Sequence, residues 1–189
     1  MDVGMATSTS EEARFRSLFN AEYDPILRYC LRRLPTADAN DAASEVFMVA
    51  WRRMDALPTD DARLWLYGIA RNVVRNFQRS ARRSRRLAGK IAGLSPEVVE
   101  SPERQVVTND ELQSVLANME RLRPDDQEIL RLKAMERLSL PEVASVLGCS
   151  EEAARKRFER AAKRLQSKVG SPVPAPTPIP CDPEGEVTT

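Results

Sequence analysis

The stretch from Ser139 to Lys168 constrains the fold more than any other part of the chain, because its helix boundaries are written out residue by residue. Ser139-Leu140-Pro141-Glu142 is a capping box: the Ser side chain accepts from the backbone three residues on, the Glu reaches back, and a proline sits in the first turn. Val143, Ala144, Val146 and Leu147 carry the apolar face that follows. Gly148 stands where a left-handed C-cap is wanted. Ser150 is placed to cap a second, longer helix with the apolar stripe Ala154, Phe158, Ala161 and Leu165. A short helix, a turn of about three or four residues containing Gly, and a longer helix form the helix-turn-helix pattern.

The rest of the chain also reads as helix. Only seven of the 189 residues are glycine and β-branched runs are short, so an all-α fold is expected. Met1–Ser10 is small and polar and is expected to be a disordered end. Phe15, Leu18 and Phe19 recur at helical spacing, and Asp24-Pro25 reads as an N-cap and first position of a helix that Pro35 ends. Asp38–Met54 follows the i, i+3, i+4 pattern through Ala43, Val46, Phe47, Ala50, Trp51 and Met54. A loop at Leu57–Asp61 precedes a helix from Leu64 to about Leu87, with Leu66, Ile69, Ala70, Val73 and Phe77 on one stripe. The segment 89–107 has Gly, Ser and Pro and no apolar period, so it reads as a flexible linker. Thr108–Glu111 is a further capping box, and Pro124 starts a helix holding Ile129, Leu130 and Leu132. Residues 170–189 contain Pro172, Pro174, Pro176, Pro178, Pro180 and Pro183 with Asp182, Glu184 and Glu186, which reads as a disordered, extended tail. The expected architecture is therefore two small helical domains, 11–88 and 108–169, joined by a flexible linker.

The net charge of +1 predicts no anionic partner by itself; the distribution does. From Arg63 to Lys90 there is no Asp or Glu, while Arg71, Arg75, Arg79 and Arg82 step by four, four and three along one helix face. Such a stripe repels itself unless a polyanion neutralises it, which points to nucleic acid rather than to a merely solvated face. A second basic cluster, with Arg155, Lys156, Arg157 and Arg160, lies on the last helix. Glu151 and Glu152 at its start also suit the positive end of the helix dipole. On the second helix of a helix-turn-helix, this cluster is the surface that enters a major groove. Trp51 is expected in the core. Trp65 and Tyr67, at the mouth of the basic helix, suit either core packing or stacking on an unpaired base.

Other functions are excluded by what is missing. The chain has no histidine, and Cys30, Cys149 and Cys181 are far apart, so neither a metal site nor a disulfide framework is expected. Asp60-Asp61 and Asp125-Asp126 fall at helix starts, where capping explains them. No catalytic residues and no cofactor are expected. With no signal peptide and no apolar run near the roughly 20 residues a membrane span needs, a cytoplasmic protein without membrane insertion is expected.

Asp38-Ala-Asn-Asp41-Ala-Ala-Ser-Glu45-Val-Phe47 with Ala50-Trp51, then Trp65-Leu-Tyr-Gly-Ile-Ala-Arg71-Asn72, then Leu138–Ser150 with Arg155–Arg157 and Arg160-Ala161, resemble in order regions 2.2, 2.3–2.4 and 4.2 of the extracytoplasmic-function (ECF) group of the sigma-70 family. Ser44 departs from the Gln usual in region 2.2, and Glu151-Glu152-Ala153 stands where small or apolar residues are more usual. The resemblance implies a subunit that docks on core RNA polymerase through Asp38, Asp41, Glu45 and Phe47. It implies contact with the −10 element through Asp55, Thr59, Asp60, Trp65, Arg71, Asn72, Arg75 and Arg79, with one base flipped out of the stack. It implies reading of the −35 duplex through Glu152, Ala153, Arg155, Lys156, Arg157 and Arg160, and control by an anti-sigma protein. The competing reading, a stand-alone helix-turn-helix regulator, leaves the acid-free arginine run unexplained. In a third reading the tail or linker is a docking segment for a regulator.

Overall fold

The computed structural model describes residues 3–58, 60–92 and 110–169, and all regular structure in them is helical. The chain runs α1 (Val3–Leu31), α2 (Thr36–Arg52), a 3₁₀ turn at Met54–Ala56, α3 (Ala62–Ala92), α4 (Asp110–Glu120), α5 (Pro124–Ala134), α6 (Leu140–Leu147) and α7 (Glu151–Val169). Helices α1, α2 and α3 pack on one another, and α4, α5 and α6 pack on α7. The two groups touch through α3 and α6. Their buried residues form one cluster, from Ile26, Val46 and Leu66 to Ile129, Val143 and Leu165.

The helices of the first group run on beyond expectation in three places. Helix begins at Val3, so the expected disordered end is helical from there. Pro25 does not start a helix but sits inside α1. A proline in a helix interior removes one backbone donor and crowds the carbonyl of the preceding turn. Here apolar residues on both sides of it, Leu18 before and Ile26, Tyr29 and Cys30 after, are buried in the same core. That shared burial favours one continuous helix over two. Third, α3 continues to Ala92, through Gly89 and into the segment read as linker. A single Gly costs a helix interior only about 1 kcal/mol relative to Ala.

The core side of α2 is as narrow as the pattern requires: Ala39, Ala42, Ala43, Val46, Phe47 and Ala50 are all buried. Four alanines let α1 and α3 approach closely. Trp51, expected in the core, is 44% exposed and meets Phe15 edge-on with ring centroids 5.0 Å apart. It lies one position beyond the buried stripe and so covers the rim of α1.

The helix-turn-helix forms as its punctuation requires. Glu142 donates its backbone N–H to Ser139 Oγ, and the Glu142 carboxylate accepts from the Ser139 backbone N–H at 2.6 Å. Gly148 takes φ 65° and ψ 42° and closes α6. Ser150 Oγ accepts from the Ala153 N–H at 3.2 Å, and Ala154, Ala161 and Leu165 of α7 are buried. Pro124 occupies the first turn of α5. The box read at Thr108–Glu111 rests on Thr108, outside the described residues, as do Thr59, most of the linker and the tail. No described helix is long and apolar enough to cross a membrane.

Candidate nucleic-acid interface

Two arginine-bearing helices face each other across one groove. Arg71, Arg75, Arg79 and Arg82 project from α3 on one side, and Arg157, Arg160 and Arg164 from α7 on the other. The i, i+4 spacing on α3 follows from the apolar stripe opposite, where Leu66, Ile69, Ala70 and Val73 are buried and leave the arginines at the surface. The structure thus brings together two sets of residues read separately from sequence: Arg71, Arg75 and Arg79 with Arg157 and Arg160. Arg155 and Lys156 point elsewhere on α7. Each holds an acid one turn back, Arg155 to Glu151 at 3.2 Å and Lys156 to Glu152 at 2.6 Å. Glu152 and Ala153 are exposed at the N-terminal end of α7.

The other face of α3 is occupied. Trp65, Gly68, Arg71 and Asn72 line a cavity of about 530 Å³ whose opposite wall is Ser145 to Gly148 of α6 and its cap. Trp65 is half-buried and Tyr67 is 1% exposed, with its ring 5.4 Å from Tyr29. Tyr67 is therefore a core residue. Asp55 and Asp60, on the turn before α3, are exposed.

The two groups of helices are locked by a buried charge cluster with no counterpart in the sequence reading. Arg33, in the turn between α1 and α2, has 1% of its side chain exposed. It donates from Nε to Glu128 Oε2 at 2.9 Å and from Nη1 to Glu136 Oε1 at 3.1 Å and to the Tyr29 carbonyl at 3.0 Å. Its guanidinium lies 3.5 Å from the Tyr29 ring centre, and the Tyr29 hydroxyl donates to Glu128 at 2.8 Å. Arg32 completes the cluster by donating to Glu136 Oε2 at 2.8 Å. Burial works against the Glu128 charge, but the Arg33 guanidinium and the bonds from Arg33 and Tyr29 outweigh it and hold that carboxyl below its ordinary value. Burial pushes the Cys30 thiol beside it up to about 12, which keeps it neutral, as expected of a small buried side chain.

Asp126 is also more than a helix-start acid. It is 6% exposed, makes no capping bond and pairs with Arg164 of α7. Arg33, Glu128, Glu136 and the Asp126–Arg164 pair are the functional candidates that sequence reasoning missed. Their ion-pair partners are 38 to 104 residues apart along the chain, and no local pattern connects them.

On the far side of the first group, α1 and α2 present an aromatic surface. Phe47 is 3% exposed, with Phe19 meeting it edge-on at 4.8 Å and Phe15 at 6.4 Å. It underlies this surface and, with Phe15, Phe19, Ser44 and Met48, lines a pocket in it. Phe19, Met48 and Trp51 are exposed around it, Asp41 is exposed, and Asp38 and Glu45 are partly so.

Residues 18–84 match the family model for sigma-70 region 2, and residues 112–165 match that for sigma-70 region 4. The chain is 31% identical over 142 residues to the RNA polymerase sigma factor CnrH of Cupriavidus metallidurans, covering 71% of this chain and 74% of that protein. The chain belongs to the ECF group of the sigma-70 family. As an ECF sigma factor it is a DNA-binding protein of transcription initiation, and its two groups of helices are sigma regions 2 and 4. The ECF sigma factor BldN of Streptomyces coelicolor is 31% identical over 168 residues, which cover 87% of this chain but 64% of BldN. The sigma-E factor of Escherichia coli is 28% identical over 147 residues, covering 73% of this chain and 77% of that one. The fold of this sigma factor is also that of two solved structures. These are CnrH bound to the cytosolic domain of CnrY (TM-score 0.58, 24% identity, 82% and 87% covered) and the sigma factor RpoE bound to the anti-sigma factor NepR from Bartonella quintana (TM-score 0.63, 23% identity, 83% and 97% covered).

Proposed function

We propose that this sigma factor binds core RNA polymerase, reads a −10 element with region 2 and a −35 element with region 4, and assists melting. The observation that carries the reading is the pair of arginine-bearing helices, α3 and α7, each in its own family region and in family order. Arg71, Arg75 and Arg79 are suited to strand phosphates, and Arg155, Lys156 and Arg157, near the N-terminal end of α7, to base edges and phosphates of a major groove. The α3 surface at Trp65 and Asn72 suits a base turned out of the stack once α6 no longer walls it. The exposed Phe19, Met48, Trp51 and Asp41 face suits the polymerase.

The closed arrangement is a resting form in this reading. Elements named −10 and −35 lie about 25 base pairs apart, or roughly 80 Å of duplex. A compact body of this chain length has a radius of gyration of only about 16 Å. With α6 seated against α3, the two regions cannot reach both elements, and Ser145 to Gly148 stand across a cavity from Trp65 and Asn72. Engagement with polymerase therefore separates the regions. The relatives bound to CnrY and NepR suggest that a protein of the anti-sigma type controls this step here too.

The test is run-off transcription from a promoter library with purified core polymerase. The expected result is that this sigma factor directs initiation at a subset of promoters sharing −35 and −10 sequences. Tight operator binding without polymerase, with no transcription, would leave only the stand-alone regulator.

A further inference from the structure

We propose that the arginine-walled cavity between α3, α5 and α7 is a binding site for a small, multiply charged phosphate anion, of the kind represented by an inorganic triphosphate chain. The cavity holds about 560 Å³. That is the size class of a small-ligand site, roughly 300–1,000 Å³, and it is too small for a duplex. Nine of its lining residues are arginines and three are acids. The acids are engaged: Glu128 with Arg33 and Tyr29, Asp126 with Arg164, and Asp125 4.0 Å from Arg75. Among the described residues, no carboxylate lies within ion-pair distance of Arg71, Arg79, Arg82, Arg157 or Arg160. The Arg71 Nε–H is buried and has no acceptor. Planar guanidinium forks from opposing walls match the oxygens of successive phosphates, and each pairing removes repulsion that the closed form otherwise carries.

One wall belongs to region 2 and the other to region 4, so a bound anion bridges the regions and favours the closed form. It also occupies the arginines assigned above to DNA. This second consequence rests on the proposed function, whereas the binding itself does not.

The experiment is titration calorimetry of the full chain with inorganic tripolyphosphate at fixed ionic strength. One anion per chain is expected, bound about tenfold or more tighter than orthophosphate. Arg82→Ala combined with Arg157→Ala, one residue from each wall, weakens binding at least about tenfold, while Arg28→Ala, outside the cavity, leaves it within about twofold. Arg33→Met lies outside the cavity lining but loosens the two walls, and it also weakens binding. Glu136→Gln replaces it if circular dichroism shows lost helix. Several anions per chain, or an affinity untouched by the two-wall variant, overturns the site. A nucleoside triphosphate binding more than about tenfold tighter than tripolyphosphate overturns the assignment to the phosphate chain alone. With binding established, tripolyphosphate is added to the run-off assay at matched ionic strength, where transcription is expected to fall; unchanged transcription keeps the anion site and instead contradicts the DNA role of the walls. Absence of binding refutes the anion site and leaves that role intact.

Discussion

At the scale of single residues, Arg33 holds the most unequal position in the molecule: one guanidinium serves two carboxylates and a carbonyl with almost no exposure. Removing one member of a buried charge cluster strands the others, which typically costs about 3–5 kcal/mol. Arg33→Met is therefore expected to lower the urea midpoint by far more than Arg28→Ala, an exposed neighbour. A change no larger than that of Arg28→Ala would remove the cluster from the account of stability. The pH dependence follows in sign from Glu128. Its carboxyl is held below its ordinary value of about 4.5 in the closed form, so its contribution is complete above that pH and is lost as the pH falls through the lower folded value. Acid unfolding of the Glu128→Gln variant should accordingly begin from a lower stability and show a shallower slope in this window. Gly148 gives a cleaner case of backbone strain. A Cβ there would meet no atom within 4 Å, so Gly148→Ala tests the φ of 65° alone, and about 1 kcal/mol of destabilisation is expected by denaturant unfolding.

At the scale of elements, α6 and α7 were readable almost atom by atom, because Ser139, Glu142, Gly148 and Ser150 each act on backbone groups within a turn of themselves. Pro25 was misread for the complementary reason. Its local signal is a helix start, and burial of Leu18 on one side with Ile26 and Tyr29 on the other overrides it. The end of α5 carried no signal at all: Arg137, not glycine, takes the left-handed φ of 56°, while the Leu138 N–H reaches back to the Leu132 carbonyl. Arg137→Gly should relieve that strain and raise stability by up to about 1 kcal/mol, measured by thermal melting with the helix content unchanged. The two arginine-bearing helices, in the DNA roles proposed for them, should also separate by assay. Arg79→Ala is expected to weaken binding on all promoters alike and lower the salt slope by about one unit, whereas Arg155→Ala shifts preference among −35 sequences. Identical behaviour of the two variants across a promoter panel would contradict the division between strand backbone and base edge.

At the scale of the whole molecule, both regions and the two arginine-bearing helices were legible in the sequence, but not that the regions close on each other. Arg33 lies 95 residues from Glu128 and 103 from Glu136, and each looks like ordinary helix-surface or turn charge in its own segment. The aromatic face was half legible. Phe47 fell on the apolar stripe and is buried beneath Phe15 and Phe19 of α1, whereas Trp51, expected in the core, is exposed. If the closed form is the resting state, small-angle X-ray scattering should give the intact chain a smaller radius of gyration than Arg33→Met, at equal helix content by circular dichroism. Equal radii would mean that the α3–α6 contact, not the charge cluster, holds the regions together.

The ion pairs on the first two turns of α7 change what a salt titration of this protein would count. Arg155 and Lys156 are already matched with Glu151 and Glu152 before any DNA arrives. In the proposed complex they would move to phosphates, exchanging one anionic partner for another, and the carboxylates they leave would recruit cations from solution. DNA still sheds its condensed ions, but two of them are in effect taken up again at Glu151 and Glu152. The logarithmic dependence of affinity on salt should then be flatter than the number of region 4 cations on the duplex implies. Glu151→Gln with Glu152→Gln should steepen it, which makes this acidic pair a buffer of promoter affinity against changes in the ionic strength of its surroundings.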